Sequence, residues 1–338
     1  MLTALIALLG LIAALASFTA VQALRIEARY PPMGLRIDIG GGGAIHVLDR
    51  SAKGEERGAV LLIHGASGNA SDMFVALAET LASRGFRVLG VDRPGHGWSD
   101  RVGGRAASSP VLQADALRRA AEKLGVNKAV VAAHSLGAVA GLAMALNHPE
   151  FVRALALIAP VSHPWPGGVA WYYSVGAHPL FGPPFRRLLT LPIGMAWMGS
   201  AVASVFAPNP APSDFIEATR LALVLRPHHF RANCEDVADA EAAVAALSPQ
   251  YGQIRAPTEV VTGDLDGVVY AHIHSRGLAR DIPGARLTTL EGVGHSPHHA
   301  APDRVVELIL EADRRATARL GGGLTEEIAE PRPEARLT

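Results

Sequence analysis

Ser135 has the strongest chemical context of any serine in the sequence, within the run AHSLG at 133–137. An apolar run at 128–133 precedes it and a helical pattern at 136–147 follows it, which predicts a turn from strand to helix. Such a turn exposes the serine hydroxyl at the carboxyl edge of a sheet, and small neighbours are needed because the helix packs close. The usual pattern is G-x-S-x-G, and Ala133 replaces its first glycine. A serine before a helix can also be a simple N-cap, so the motif needs chemical partners.

A serine nucleophile needs a histidine base and a carboxylate that orients the base. GDLD at 263–266 follows one predicted strand, and GVGH at 292–295 follows the next. Both runs stand at carboxyl ends of strands, where ligands meet open α/β sheets. The order serine, acid, histidine is the order of this architecture. The residues therefore predict Ser135 as nucleophile and His295 as base, with Asp264 and Asp266 both open as the acid.

A site for acyl transfer also needs donors for the negative charge that develops on a carbonyl oxygen. HGASG at 64–68 follows the predicted strand at 59–63, and its glycines allow backbone amides to turn inward. We expect the main-chain amides of Ala66 and Leu136 to form this oxyanion hole.

Five runs together resemble the α/β-hydrolase superfamily, specifically its cap-bearing serine hydrolases: HGASG at 64–68, DRPGHGWSD at 92–100, AHSLG at 133–137, GDLD at 263–266 and GVGH at 292–295. The resemblance covers residues 35–320. It implies Ser135 as nucleophile, Asp266 as acid and His295 as base. Asp264 is the rival acid. The family pattern favours Asp266 because it places the acid three residues after the glycine and before an apolar pair, here at 268–269.

Three further residues are candidates for substrate binding. His96 lies in the glycine-rich run at 92–100, which we interpret as a structural loop beside the pocket, so its ring either contacts substrate or bonds to backbone. Trp165 and Trp171 lie in a stretch rich in proline and aromatic residues. These side chains either line an apolar pocket or form the core of that stretch.

Charge and cysteine content exclude several classes of function. Lys plus Arg total 31, as do Asp plus Glu, and a chain with no net charge is not predicted to bind nucleic acid. The single cysteine, Cys234, excludes an intramolecular disulfide and a cysteine-based zinc site. The pairs His272/His274 and His298/His299 lack clustered carboxylates at ligand spacing, so the prediction includes no metal and no cofactor.

Apolar runs and helical patterns alternate along most of the chain. This rhythm predicts an α/β fold with a mostly parallel central sheet and helices on both faces. Strands are predicted at 35–39, 44–48, 59–63, 86–91, 128–133, 154–159, 258–262 and 285–290. Helices are predicted at 72–83, 109–123, 136–147, 215–225, 235–247 and 302–320.

The alternation stops between 161 and 255. This stretch is rich in proline and tryptophan and contains no clear strand. We interpret 161–255 as a helical cap inserted in one connection of the sheet. It divides the hydrolase core into 30–160 and 256–320. The polar tail at 321–338 is predicted to be disordered.

Residues 1–24 carry no charged side chain. A helix of this length spans roughly 36 Å at about 1.5 Å per residue, against a hydrocarbon core of about 30 Å. We predict an uncleaved, single-pass membrane anchor. A signal peptide cleaved near Val21-Gln22-Ala23 and a buried core helix are the alternatives. Because Arg25, Arg29 and Arg36 follow the segment and no Lys or Arg precedes it, the catalytic domain is predicted in the cytoplasm.

The sequence therefore predicts a membrane-anchored serine hydrolase acting on an ester or related carbonyl compound, with a lipophilic small molecule as substrate. Enzymes of the same fold that hydrolyse carbon–carbon bonds, or that act as cofactor-free peroxidases, are alternatives. A non-catalytic ligand-binding or accessory protein is another, because fold alone does not establish activity.

Overall fold

The computed structural model describes the backbone of residues 1–327 and the side chains of residues 1–319. Eight strands form a sheet in the order β1-β2-β4-β3-β5-β6-β7-β8. The pairs β1–β2 and β2–β4 are antiparallel, and the remaining neighbours are parallel. The strands are β1 (Leu35–Gly40), β2 (Gly43–Arg50), β3 (Gly58–Ile63), β4 (Phe86–Val91), β5 (Ala129–His134), β6 (Val152–Ile158), β7 (Thr258–Gly263) and β8 (Arg286–Leu290).

Twelve α-helices and three short 3₁₀ helices connect the strands within residues 1–327. The helices are α1 (Leu2–Arg29), α2 (Ser71–Ser83), α3 (Pro110–Lys123), α4 (Gly137–Asn147), α5 (Trp171–Ala177), α6 (Gly182–Leu188), α7 (Thr190–Phe206), α8 (Phe215–Ala218), α9 (Pro227–Leu247), α10 (His274–Asp281), α11 (Pro297–Ala300) and α12 (Pro302–Glu327). The 3₁₀ helices are Gly104–Ser108, Leu221–Leu225 and Ser248–Gln253.

The central strands are buried on both faces, which explains their continuous apolar runs. Alternate side chains enter two separate cores because neighbouring residues of a strand point to opposite faces. On β3, Leu61 and Ile63 pack in the core that α3 and α4 cover. Val60 and Leu62 pack in the core that α2 and α12 cover. This arrangement confirms the predicted α/β-hydrolase architecture with helices on both faces of the sheet.

The region between β6 and β7 is helical, as expected, but two of its helices differ from the prediction. The helix predicted at 215–225 consists of α8 and the 3₁₀ helix Leu221–Leu225, with Arg220 between them at φ 56°. The helix predicted at 235–247 begins earlier, because Pro227 occupies a first-turn position where its missing N–H costs nothing.

The last helix, α12, extends to Glu327 instead of ending at 320. The tail predicted from 321 overlaps the end of this helix, and its disorder stays a prediction. Glycine in a helix interior costs about 1 kcal/mol relative to alanine but does not forbid the helix. The remainder of the predicted tail, 328–338, lies outside the described residues.

Helix α1 joins the fold through its second half. Ile26 and Tyr30 are buried beside Leu191 and Leu223, and Arg226 forms an ion pair with Glu27 at 3.2 Å. α1 is long and apolar enough to cross a membrane, which makes it a candidate membrane span. It ends before Pro31-Pro32, as the proline pair predicts.

Candidate active site

Ser135 lies at the predicted turn between β5 and α4, with φ at 51°. Left-handed backbone is uncommon for a residue with a side chain and costs of order 1–3 kcal/mol. The turn is tight on both sides. A Cβ on Gly137 would lie 2.4 Å from the carbonyl oxygen of His64, and a Cβ on Gly65 would lie 3.0 Å from Ser135 Cβ. Glycine is therefore required at 137 for the backbones to approach, and a side chain at 65 would crowd Ser135.

Ala133 replaces the usual first glycine of this motif. Its methyl group is accommodated at Gly141 of α4. The nearest atom to a Cβ built on Gly141 is Ala133 Cβ, at 3.3 Å. A methyl group at 133 therefore faces a helix position without a side chain. The close packing of helix on strand is therefore kept.

The three residues predicted as nucleophile, base and acid lie together. His295 Nε2 is 3.0 Å from Ser135 Oγ, and His295 Nδ1 is 2.8 Å from Asp266 Oδ2. The other Asp266 oxygen, Oδ1, accepts hydrogen bonds from the amides of Val268 and Val269 at 2.8 and 2.9 Å. Asp264 is exposed. Asp266 is thus the one of the two carboxylates that contacts His295.

These contacts fix the tautomer of His295. An ionised carboxylate only accepts hydrogen bonds, so His295 Nδ1 carries the proton that is donated to Asp266. In the neutral ring, Nε2 then presents its lone pair to the Ser135 hydroxyl. The site is shielded, since Ser135 is 7% exposed and His295 is 4% exposed.

The loops that carry the acid and the base are bonded to each other. The amide of Asp264 donates to the carbonyl oxygen of Leu290 at 3.1 Å, and the amide of Leu265 donates to that of Val293 at 3.0 Å. A Cβ on Gly263 would lie 2.0 Å from the Val293 oxygen. The glycine before the acid therefore permits the close approach that brings Asp266 to His295.

Asn209, which follows α7, holds the loop of the base, and the sequence analysis missed it. Its Nδ2 donates to the carbonyl oxygen of Gly292 at 2.9 Å, and its Oδ1 accepts from the amide of Gly294 at 2.9 Å. This side chain fixes the backbone directly before His295. No local pattern marks it, because its partners lie more than eighty residues away in the chain.

The HGASG loop places Ala66 next to the nucleophile turn. Among residues 1–327, no acceptor takes a hydrogen bond from the amides of Ala66 or Leu136. Asn233 on α9 holds the next residue of the loop, since it accepts from the Ser67 amide at 2.6 Å and donates to Ser67 Oγ at 3.0 Å. Two backbone donors beside Ser135 are thus left without an acceptor within the described part of the chain.

A buried ionic network contacts the HGASG loop through Arg93. Arg93 donates to the carbonyl oxygen of Gly65 at 3.1 Å and forms an ion pair with Asp236 on α9 at 2.6 Å. Gln113 donates to the same carboxylate at 3.0 Å. Burial raises the pKa of Asp236, and the guanidinium groups of Arg93 and Arg101 oppose that effect. The complete set of hydrogen bonds leads us to assign an ionised Asp236.

His96 belongs to this network. It is fully buried, lies 3.3 Å from Arg93 Nη2, and its Nδ1 is 3.3 Å from the carbonyl oxygen of Pro94. Burial and the neighbouring Arg93 charge hold the pKa of His96 well below its usual range. His96 is therefore buried beside a backbone carbonyl, away from solvent, and contact of its ring with substrate stays a prediction.

His64 has a defined tautomer in the same region. Its Nδ1 lies 2.8 Å from the carbonyl oxygen of Gly65, while Nε2 lies 3.1 Å from the donating amide of Arg93. Nδ1 is therefore the protonated nitrogen. Burial, together with the Arg93 charge, lowers the pKa of His64 to about 4. This neutral ring links the loops after β3 and β4.

A second polar cluster lies next to His295. His134 Nε2 is 3.0 Å from the carbonyl oxygen of His295. Asp72 Oδ1 lies 2.9 Å from His299 Nε2 and 3.4 Å from His298 Nε2. Burial alone would raise the pKa of Asp72, but the two imidazoles outweigh it and hold that pKa well below its usual range.

This cluster includes a set of groups that could hold a metal ion. Asp72, His134 and His298 each bring a ligand atom within 4.8 Å of the others. Asp72 on α2 brings one carboxylate to His298 and His299, which the spacing of residues around that pair in the sequence does not show. That the chain needs no metal stays a prediction.

The two tryptophans predicted to bind substrate lie in different environments. Trp165 is half-buried against the core, and its Nε1 donates to the carbonyl oxygen of Gly168 at 3.0 Å. Trp171, at the start of α5, is 68% exposed. The structure brings neither into hydrogen-bond contact with Ser135, and their role in binding stays a prediction.

Comparison with known families agrees with this geometry. A family model described as the alpha/beta hydrolase fold matches residues 58–302. The chain belongs to the α/β-hydrolase family. The match includes the turn of Ser135 and the loops of Asp266 and His295, and it confirms the resemblance found in the sequence.

Three relatives illustrate the range of this α/β-hydrolase's similarities. It is 28% identical over 256 residues to the magnesium-chelatase 30 kDa subunit of Rhodobacter capsulatus, with 75% of this chain and 85% of that protein covered. It is 26% identical over 260 residues to a 2-hydroxy-6-oxononadienedioate/2-hydroxy-6-oxononatrienedioate hydrolase of Cupriavidus pinatubonensis, covering 74% and 84%. The crystal structure of the enol-lactonase from Burkholderia xenovorans superposes with a TM-score of 0.63 at 20% identity, covering 82% and 98%.

Proposed function

We propose that the protein is a serine hydrolase that cleaves an ester or related carbonyl compound through an acyl-enzyme. The observation that carries this proposal is the chain of contacts from Ser135 Oγ through both ring nitrogens of His295 to Asp266, at 3.0 and 2.8 Å. The strained backbone at Ser135 supports it, because strain of this kind concentrates at functional turns.

In the first half of the reaction, Ser135 Oγ attacks the substrate carbonyl while His295 Nε2 takes the hydroxyl proton. Asp266 holds the ring and stabilises the imidazolium that forms. The new C–O bond pushes the carbonyl electrons onto oxygen. That oxyanion accepts hydrogen bonds from the amides of Ala66 and Leu136, which have no acceptor among residues 1–327. Collapse of the intermediate then breaks the bond to the leaving group, which receives the proton from His295.

In the second half, a water molecule gives its proton to His295 and attacks the acyl carbon. The acid product leaves and the proton returns to Ser135 Oγ. Ser135 and His295 are nearly buried, so the segments around them control the access of substrate. We assign this role to the helical region 161–255 as a cap, because Asn209 and Asn233 from this region contact the site loops.

The first experiment is labelling of the purified full chain with a fluorophosphonate probe. Wild-type protein is expected to label, and Ser135→Ala and His295→Ala are expected to abolish labelling. Ser83→Ala removes a surface serine at the end of α2 and is the matched control. Labelling that persists in Ser135→Ala, or folded wild type that does not label, contradicts the proposal.

Hydrolysis of a carbon–carbon bond is the second candidate reaction, favoured by the similarity to the Cupriavidus hydrolase. The same three residues could serve it. The two reactions are separated by assaying a simple aryl ester beside a 2-hydroxy-6-oxo-dienoate. Turnover of the dienoate with negligible ester turnover would favour carbon–carbon cleavage. If the folded protein turns over neither compound, a binding or accessory role gains support.

We also propose that α1 anchors the protein in a membrane, with a lipophilic substrate and the catalytic domain in the cytoplasm. The burial of Ile26 and Tyr30 in the domain supports retention of the helix. The arginines at 25, 29 and 36 support the orientation. Protease treatment of right-side-out cells tests it: a protected domain agrees with the proposal, and a digested one overturns the orientation.

A further inference from the structure

The helical region that follows β6 is unusually poor in charge. Arg186 and Arg187 are the two charged residues between Arg153 and Asp214. The Arg186 side chain is turned inward and donates to the carbonyl oxygen of Gly176. α7 contains no charged residue at all. A water-exposed helix of a soluble domain normally carries charged or polar residues on its outer face.

Large apolar side chains are exposed on α5, on α7 and in the segment between α5 and α6. We define the α5–α7 apolar face as Trp171, Leu180, Phe181, Ile193, Met195 and Trp197, whose exposed fractions lie between 42% and 70%. Single exposed apolar side chains need no explanation, but a group of large ones on adjacent helices indicates an interaction surface. Tryptophan is also the residue enriched where proteins meet the membrane interface.

The packing of α1 decides what covers this face. Residues 1–14 of α1 are all exposed, whereas Thr19 and Ile26 are buried. The helix packs against α6 and α7. As a helix, the fourteen exposed residues 1–14 have a length of about 21 Å at about 1.5 Å per residue. This length is short of a hydrocarbon core of about 30 Å.

A bilayer crossed by α1 must therefore also enclose the part of α1 that lies beside α6 and α7. Those helices cannot stay outside the membrane while the neighbouring residues of α1 are inside it. α6 and α7 together are apolar enough to enter a membrane, and they meet at an angle of 66°. A pair bent in this way fits a segment that dips into one leaflet better than a straight second span.

We propose that the α5–α7 apolar face is embedded in one leaflet of the bilayer beside α1, so that the helical region is a membrane-inserted surface. The occupant of the face is the acyl-chain region of the lipid. The proposal rests on the anchoring role of α1. Exposed Arg187 on α6 can extend its long side chain to the lipid headgroups while its stem stays among apolar groups.

The proposal is tested with spin labels on the full chain in phosphatidylcholine vesicles. Cys234 is buried and its pKa is raised to about 12 by burial, so introduced cysteines can be labelled selectively in a Cys234→Ala background. Labels are placed by Phe181→Cys and Trp197→Cys on the face, and by Leu9→Cys on α1. Val75→Cys on α2 and Leu112→Cys on α3 are matched controls, because they are also exposed apolar positions.

Collision of each label with oxygen, which partitions into lipid, is compared with collision with a water-soluble nickel chelate. The oxygen-to-nickel ratio is expected to be several-fold higher at 9, 181 and 197 than at 75 and 112. A high ratio at 9 with control-level ratios at 181 and 197 overturns the embedded face while anchoring survives. Control-level ratios at all three positions overturn anchoring as well. Thermal unfolding of each variant identifies any that fails to fold.

Discussion

The geometry around His295 depends on residues that never contact the serine. Asp266 receives two backbone amides on one oxygen and the imidazole on the other, so its position is fixed before any substrate arrives. Asp264, two residues earlier, is exposed. Because only Asp266 of these two carboxylates contacts His295, substitution of each one should affect activity differently.

We predict that Asp266→Asn lowers kcat by roughly 10³–10⁴-fold, because the amide no longer enforces the His295 tautomer. Asp264→Asn is the matched control and should leave kcat near the wild-type value. Steady-state kinetics on the best ester found by screening provide the measurement. Equal losses from both variants would show that the two acids act together.

Asn209 offers a second prediction at this scale. Asn209→Ala removes two hydrogen bonds to the backbone before His295, so we expect kcat to fall by about fivefold to tenfold, or about 1 kcal/mol. KM should change little, since the side chain holds the base and not the substrate.

Asn147→Ala, at the end of α4, removes a single local side-chain bond and is the control for loss of an asparagine. A fall in thermal stability without a change in kcat would assign Asn209 a purely structural role.

The sequence alone named the candidates Ser135, Asp266 and His295, which lie together in the structure, whereas it did not name the residues that support them. Ser135 and His295 stand in short local motifs at strand ends, and such motifs are readable without the fold. Arg93, Asn209 and Asn233 act on backbone groups of distant loops. Arg93 lies in the run at 92–100, but that run does not show which backbone groups its side chain contacts. Nothing in the local sequence of Asn209 or Asn233 distinguishes them from ordinary polar residues on loops and helices.

At the scale of elements, β5 and α4 must approach closely to hold the nucleophile turn. Ala133 and Gly141 share this contact, with one methyl group between strand and helix. Two methyl groups at 3.3 Å are tighter than ordinary van der Waals contact, so the two positions should be energetically coupled.

We predict a double-mutant cycle with a coupling free energy of about 1 kcal/mol. Gly141→Ala gains helix propensity but crowds Ala133. In the Ala133→Gly background the crowding is absent, so the same change should be more favourable to stability. Urea unfolding of the four proteins measures the coupling. Additive effects would show that the contact relaxes without cost.

The central strands could be predicted because their buried runs are continuous, but the helical region could not. Its helices are bounded by prolines and by contacts with α1. The 3₁₀ helix Leu221–Leu225 illustrates this, because it packs through Leu223 against Ile26 and Tyr30, which lie almost two hundred residues earlier. A window on the local sequence contains none of that information, so it merges this segment with α8.

At the scale of the whole molecule, buried neutral histidines should limit acid stability. Burial lowers the pKa of His64 to about 4 from 6.5. It also holds the pKa values of His96, His134 and His229 well below the usual range. The unfolded chain binds protons at these groups before the folded chain does. Stability is therefore present above the unfolded pKa and falls as the pH drops below it.

From His64 alone we expect the free energy of unfolding to drop by about 1 kcal/mol between about pH 7.5 and about pH 5.5, with further losses from the other buried rings. Urea unfolding across this range measures the slope. His272→Asn, at an exposed position, should leave the slope unchanged. A flat profile would mean that the buried rings gain protons without unfolding.

The membrane-embedded face leads to a prediction for activity. Phe181→Glu and Trp197→Glu place a charge where lipid is expected, so turnover of an ester dissolved in the bilayer should fall relative to wild type. Turnover of a water-soluble ester should not change. Val75→Glu is the matched control. Equal effects on both substrates would point to damage in the helical region itself.

The burial of Ile26 and Tyr30 means that no flexible tether separates α1 from the domain. If α1 crosses the bilayer, its buried second half fixes the helix to the domain, so Ser135 stays at one height above the lipid. The search for substrate is then a lateral one, by diffusion in two dimensions. A compound would be met only where its reactive carbonyl rises to that height, which makes depth in the leaflet a criterion of selection alongside shape.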